Sequence, residues 1–138
     1  MARRSEQRRA AAFALYQKDV TNRALDDVLG RDASAFTRTL AHAADDYAEE
    51  LDGLIAKHAR NWSIDRIAPL ERAIMRLALL EMVHPDVAPG DRPIPPEGAI
   101  DEAVETAKRF CGAEAPGFVN GILNAVLREM RETAEHRG

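Results

Sequence analysis

A single cysteine, Cys111, in 138 residues excludes an internal disulfide and any cysteine-rich zinc module, and fits a reducing compartment. Aromatic residues make up only 5% of the chain and β-branched residues are sparse. No segment alternates apolar and polar positions for more than a few residues, which excludes a half-buried sheet. No apolar run approaches the roughly 18 residues of a membrane span. The basic N-terminus meets Tyr16, Gln17 and Lys18 before any leader-like segment forms, so the chain reads as soluble, cytoplasmic and unexported. The signatures of catalysis are equally scarce: there is no glycine-rich phosphate loop, no Cys–His dyad and no nucleophile elbow. Glu81 and His84 have Glu-x-x-His spacing, but a di-metal bundle needs two copies plus two further carboxylates, and this one ends at Pro85. His42 can reach Asp45 or Asp46 along a helix, and the pairs Asp26-Asp27 and Glu49-Glu50 fall on faces expected to be solvated, where nothing drives their pKa values apart. Neither a metal nor a cofactor is expected, and an enzyme is the weaker reading.

What is present suits one globular domain over residues 1–138: 46% hydrophobic and 30% charged positions, enough to bury about two-thirds of the unfolded surface. The net charge of −4 conceals an asymmetry. Through residue 18, Arg3, Arg4, Arg8, Arg9 and Lys18 face Glu6 alone, a balance of +4 that leaves −8 to the rest. A basic arm over about residues 1–9 therefore sits on an acidic body, which favours a local phosphate-binding end over adhesion of the whole surface. If the first helix begins near Ser5, Arg9, Phe13 and Tyr16 share one face, and Arg4 and Arg8 lie beside Ala11, Ala12 and Leu15 on another. A solubilising N-terminus is equally consistent with this pattern.

Helical periodicity runs through almost the whole chain, and six or seven helices in an all-α domain are expected. Phe36, Leu40, Tyr47, Leu51, Leu54, Ile55 and His58 predict one long helix of about 40 Å, capped by Asp32 or Ser34. Pro69 opens a helix with its apolar side at Leu70, Ile74, Leu77, Ala78 and Val83, which must end by His84-Pro85. Residues 85–96 hold five prolines and Gly90, a surface loop of polyproline character. Ile100, Ala103, Val104, Ala107 and Phe110 mark the next apolar stripe, stopped at Gly112, and Val119, Ile122, Leu123, Val126 and Met130 the last. The tail from Thr133 to Gly138 is expected to fray. The last helix is expected to open at Phe118-Val-Asn-Gly, an aromatic, an amide and a glycine where aliphatics would pack more simply. Phe118 suits either a base-stacking face or a hydrophobic staple, and Asn120 either a base-reading amide or a cap. Gly121 reads as room for close helix packing.

An arginine cluster leading into Ala-Phe-Ala-Leu-Tyr-Gln, then Asn61-Trp62 with Arg66, then Glu71-Arg-Ala-Ile-Met-Arg-Leu-Ala-Leu-Leu-Glu81, then Ala99-Ile-Asp-Glu-Ala-Val-Glu and Phe118-Val-Asn-Gly resembles the NusB transcription antitermination family along nearly the whole chain. The resemblance implies two packed helical bundles and no catalysis. It further implies binding of boxA-type single-stranded RNA of ribosomal transcripts together with NusE, a small-subunit ribosomal protein, and entry into the elongating RNA polymerase complex. Carried over by position, the RNA surface comprises Arg3, Arg4, Arg8, Arg9, Tyr16, Gln17, Phe118 and Asn120. The partner-protein surface comprises Glu71, Arg72, Arg76 and Glu81, whose carboxylates suit a basic ribosomal protein. The chain departs from the family in three places: no basic or hydroxyl residue lies between Cys111 and Phe118, the loop at 85–96 is longer, and Gly98 stands where valine is usual. Two other readings attach to the same resemblance. One is the accessory domain of a ribosomal RNA cytosine methyltransferase, with no glycine-rich cofactor strand before Gly138; the other is a homodimer that masks the arginines.

Overall fold

Local signals in the sequence set most helix boundaries. The computed structural model describes residues 3–60, 63–88 and 92–137 and, among them, seven α-helices and no strand: α1 (Arg4–Thr21), α2 (Leu25–Leu29), α3 (Ala35–Asp46), α4 (Ala48–His58), α5 (Pro69–Val83), α6 (Pro96–Phe110) and α7 (Ala115–Arg137), with a 3-10 turn at Ile64–Arg66. Asn61, Trp62, Pro89 and Gly90, singled out in the sequence, lie outside the described residues. Asn22 ends α1 in the left-handed region at φ 58°, a conformation that its short polar side chain tolerates. Ser34, rather than Asp32, caps α3 by accepting the Thr37 backbone N–H at 3.0 Å. Proline occupies the first turn of α5 and of α6, where the absent N–H removes no helix bond.

Three expectations about the helices change. The long helix over residues 34–58 is two, broken at Tyr47 (φ −94°, ψ 12°). The apolar register passes straight through this break because Leu51 N–H still bonds Tyr47 O at 3.0 Å. Helix α7 starts three residues before Phe118 and continues to Arg137, so the tail expected to fray at Thr133 is helical. Phe110 ends the α6 stripe but is 47% exposed, because the chain turns away from the core immediately after it.

Helix α5 is the axis of the molecule. Helices α1 and α3 pack along one flank, with α2 against α1, and α4, α6 and α7 pack along the other, giving two helical groups that share α5. A helix in that position must be apolar on most sides, and Ala73, Ile74, Met75, Leu77, Ala78, Leu79, Leu80 and Met82 are all buried. The expected one-sided stripe was too narrow: Met75, Leu79, Leu80 and Met82 join it, and its ends at Leu70 and Val83 are only half-buried. The two groups are tied by Arg76, whose guanidinium donates to both Asp52 carboxylate oxygens on α4 at 2.6 Å and to Asp19 on α1 at 2.8 Å. Burial works to lower the pKa of Arg76, but the bonds and charges of Asp52 and Asp19 outweigh it and raise the value above normal. Arg76→Met is expected to cost about 2–3 kcal/mol in urea unfolding, less than a fully buried pair because both aspartates keep some solvent. A loss below 0.5 kcal/mol, expressed relative to the roughly 1 kcal/mol ceiling of surface pairs, would show that the clasp is only a surface bridge.

Candidate nucleic-acid interface

Helix α1 divides its basic residues between two faces. On the inward side Arg8 donates from Nε to both Glu81 oxygens at 2.8 and 3.1 Å, and the two side chains are 13% and 9% exposed. The guanidinium of Arg4 lies 4.1 Å from the Phe36 ring centroid and that of Arg8 5.3 Å from it, so one buried ring underlies two cations. Thr37 Oγ1 adds a hydrogen bond to Gln7 O at 2.9 Å. The start of α1 is thus fixed to α3 by Phe36 and Thr37 and to α5 by Glu81.

The outward face carries Arg9, Phe13 and Tyr16. Phe13 meets Phe110 of α6 edge to face, with centroids 5.1 Å apart and planes at 84°. Tyr16 and Phe110 border a hollow formed with Pro69, Glu71 and residues 111–115, and this hollow adjoins a second one lined by Arg66, Glu71, Glu114 and Phe118. Gln17 is exposed on the other side of Phe13, where α1 forms a groove with Val28, Leu29 and Ser34. Arg3 is exposed and Arg9 half-buried beside Glu102, and neither has an ion-pair partner among the described residues.

Between the arm and Phe118 stand Phe13, which meets Phe110, and the adjoining hollows bordered by Tyr16, Phe110 and Phe118, whereas Arg8 turns inward to Glu81. Phe118 is half-buried, and its N–H already bonds Glu114 O at 3.2 Å. The helix opens earlier, where Ala115 N–H bonds Gly112 O at 3.1 Å and Pro116 has no N–H to offer. Asn120 is exposed and accepts from Asn124 Nδ2 at 2.9 Å through its side-chain oxygen, and its own NH₂ donates to no described residue. Gly121 does not serve close packing: a Cβ there would meet nothing within 4 Å. The close approach is at Gly98, where a Cβ would stand 3.0 Å from Ile94 Cγ1, so the absent valine matches a tight loop-to-helix contact.

The four residues assigned to a partner surface do not form one. Glu81 is buried under Arg8, where desolvation raises its pKa more than the Arg8 hydrogen bonds and charge lower it. Arg76 is the interhelical clasp described above. Arg72 is half-buried, donates to Ile64 O at 3.1 Å, faces Asp19 at 3.5 Å, and has a buried Nε with no hydrogen-bond partner. Glu71 alone lines the surface hollows, its pKa raised by partial burial against a lowering backbone bond from Ala68. Burial, with help from Glu71, also raises the pKa of the Cys111 thiol, which keeps it protonated and a poor nucleophile. His42 bonds Asp26 across to α2 at 2.6 Å in place of the expected Asp45 or Asp46. Glu81 and His84 serve different partners, since His84 bonds Glu50 at 3.0 Å and stacks on Tyr47 at 4.0 Å. Phe36 and Phe110 are the aromatic contributions that the sequence reading missed. Both fit apolar helix stripes, and only the Lys108-Arg109 pair and the helix stop beside Phe110 set it apart.

This order of elements, with an N-terminal basic helix and an Asn-Gly turn of α7 on either side of α5, is matched by the NusB family model over residues 5–128. The chain belongs to the NusB family. The transcription antitermination protein NusB of Bacillus velezensis is 38% identical over 133 residues, spanning 93% of this chain and 98% of that protein. NusB from T. maritima superposes with a TM-score of 0.79 at 29% identity, covering 93% of this chain and 92% of that one. A crystal structure of antitermination factors NusB and NusE in complex with dsRNA superposes with a TM-score of 0.74 at 26% identity, covering 91% and 96%. No described helix of this NusB-family chain is long and apolar enough to cross a membrane.

Proposed function

We propose that this chain is a transcription antitermination factor, not an enzyme, that binds boxA-type single-stranded RNA of ribosomal transcripts with NusE and joins the elongating RNA polymerase complex in the cytoplasm. The observation that carries the reading is the edge of Phe13, Phe110 and Tyr16 with the Phe118 hollow, on a fold shared with a NusB that was crystallised with NusE and RNA. In this reading Arg3 and Arg9 hold phosphates, Phe118 stacks on an unpaired base and the NH₂ of Asn120 reads a base edge. Tyr16 borders the strand, and Gln17 lies beyond Phe13 in the neighbouring groove. Arg4 and Arg8 shape the arm from behind, and Glu71 is the carboxylate offered to NusE.

Fluorescence anisotropy with a boxA-type single strand and its scrambled counterpart tests this directly. Tighter binding of the boxA-type strand is expected, strengthened by NusE and weakened as salt rises. Equal affinity for the scrambled strand removes sequence choice, and no binding with NusE present overturns the function.

A further inference from the structure

The proposed RNA face uses half-buried Phe118, but it contains another, more exposed ring whose chemistry that reading leaves idle. Phe110 is one of three large hydrophobic residues that are clearly exposed among the described residues, at 47%. Its ring is not loose, because the edge-to-face contact with half-buried Phe13 at 5.1 Å and 84° restrains its plane from the α1 side. One cation stands against it, and two more are close along the chain or on α1. Arg109 holds its guanidinium 5.5 Å from the ring centroid, Lys108 is the residue before, and Arg9 sits one turn before Phe13 on the facing helix. None of these three cations has an ion-pair partner among the described residues.

A restrained aromatic face with a cation against it and further basic residues on the same two helices is suited to a polyanion that also offers flat apolar surfaces, which describes single-stranded nucleic acid. The same cations would repel a basic protein at this spot, whereas the neighbouring hollow, lined by Glu71 and Glu114, would attract one. We infer that Phe110 is a second base-stacking platform, which takes an unpaired base of the bound RNA while Arg109, Lys108 and Arg9 hold the flanking phosphates. This rests on the RNA-binding reading above and extends it: the strand is gripped at two rings, Phe118 and Phe110, on either side of the Glu71–Glu114 hollow. Phe13 is a positioning residue beneath the second ring.

The test measures anisotropy of the full chain with the boxA-type strand, alongside the same strand carrying 2-aminopurine at successive positions. Phe110→Leu preserves an apolar contact for Phe13 but has no stacking face, and Phe110→Tyr keeps one. The leucine variant is expected to bind about tenfold more weakly with an unchanged salt slope, since stacking releases no counterions, and the tyrosine variant to bind like the parent. One 2-aminopurine position quenched in the parent should brighten in Phe110→Leu, and a different one in Phe118→Ala. Circular dichroism and thermal melting confirm that each variant is folded. If Phe110→Leu matches the parent in affinity and quenching while Phe118→Ala does not, the second platform is wrong and the RNA-binding reading stands. If Phe110→Leu weakens only NusE binding, the ring is a protein anchor and the inference is overturned. If the parent binds no RNA, both fall together.

Discussion

Glu81→Ala is expected to lower the free energy of unfolding by about 3–5 kcal/mol, more than any other single truncation outside the apolar core. The reason is what it leaves behind. Arg8 is 13% exposed and spends its Nε on both oxygens of Glu81, so the alanine variant strands a buried guanidinium that cannot shed its charge. The pair is a weak source of net stability, because burial raises the pKa of Glu81 despite the cation beside it. Removing both charges with Arg8→Met and Glu81→Met should therefore recover most of the loss. Urea unfolding of the two single variants and the double variant measures this, and a cost below about 1 kcal/mol for Glu81→Ala would place the pair among solvated surface bridges. The double variant also separates stability from recognition. If the pair fixes the direction of the arm, a stable Met/Met protein should bind RNA more weakly because the start of α1 has lost its polar tie to α5, although neither charge touched the strand.

That pair marks the boundary of what the sequence discloses. Helix positions were legible because burial follows 3.6-residue periodicity: Ser34, one of the two caps offered, the proline opening α5, and the stripe of Val119, Ile122, Leu123 and Val126 are where the pattern places them, whereas Pro96, read as the end of the loop, opens α6. The break at Tyr47 was not, because one residue leaves the helix without shifting the register, and its ring turns out to stack on His84. The residues proposed for the RNA face came from the residue types and the family resemblance. The division of labour among its arginines was not. Arg8 and Arg9 are neighbours in sequence with the same chemistry, and only the 100° between successive helix residues sends one over Phe36 to Glu81, 73 positions away, and leaves the other without an ion-pair partner among the described residues. The same holds for the central helix. Arg76 and Glu81 read as exposed flanks of a one-sided stripe, and became internal once helices covered α5 on both sides.

Charge reversal at Arg3 and Arg9 is expected to weaken binding of a boxA-type single strand on the order of 30- to 100-fold, from two lost charge-assisted contacts. Because each phosphate neutralised on a single strand releases about 0.7 of a counterion, the slope of log affinity against log salt should flatten by about 1.4. Arg8→Gln provides the contrast. Its side chain is committed to Glu81 and lies over Phe36, so its loss should reduce stability and leave the salt slope of the surviving folded protein unchanged. Anisotropy titrations from 50 to 300 mM salt, about the range over which electrostatic binding collapses, distinguish the two. An equal change in slope for Arg8→Gln and for the Arg3/Arg9 variant would mean that Arg8 leaves Glu81 when RNA arrives. Glu81 would then act as a competing anion held in reserve beneath the arm, and Glu81→Gln would bind RNA more tightly than the parent. An unchanged slope for Arg8→Gln fixes the opposite picture, in which the outward face of α1 alone meets the phosphates. The inward face then belongs to the fold, and the affinity of the strand is set by how firmly Glu81 and Phe36 hold the arm in register with Phe110 and Phe118.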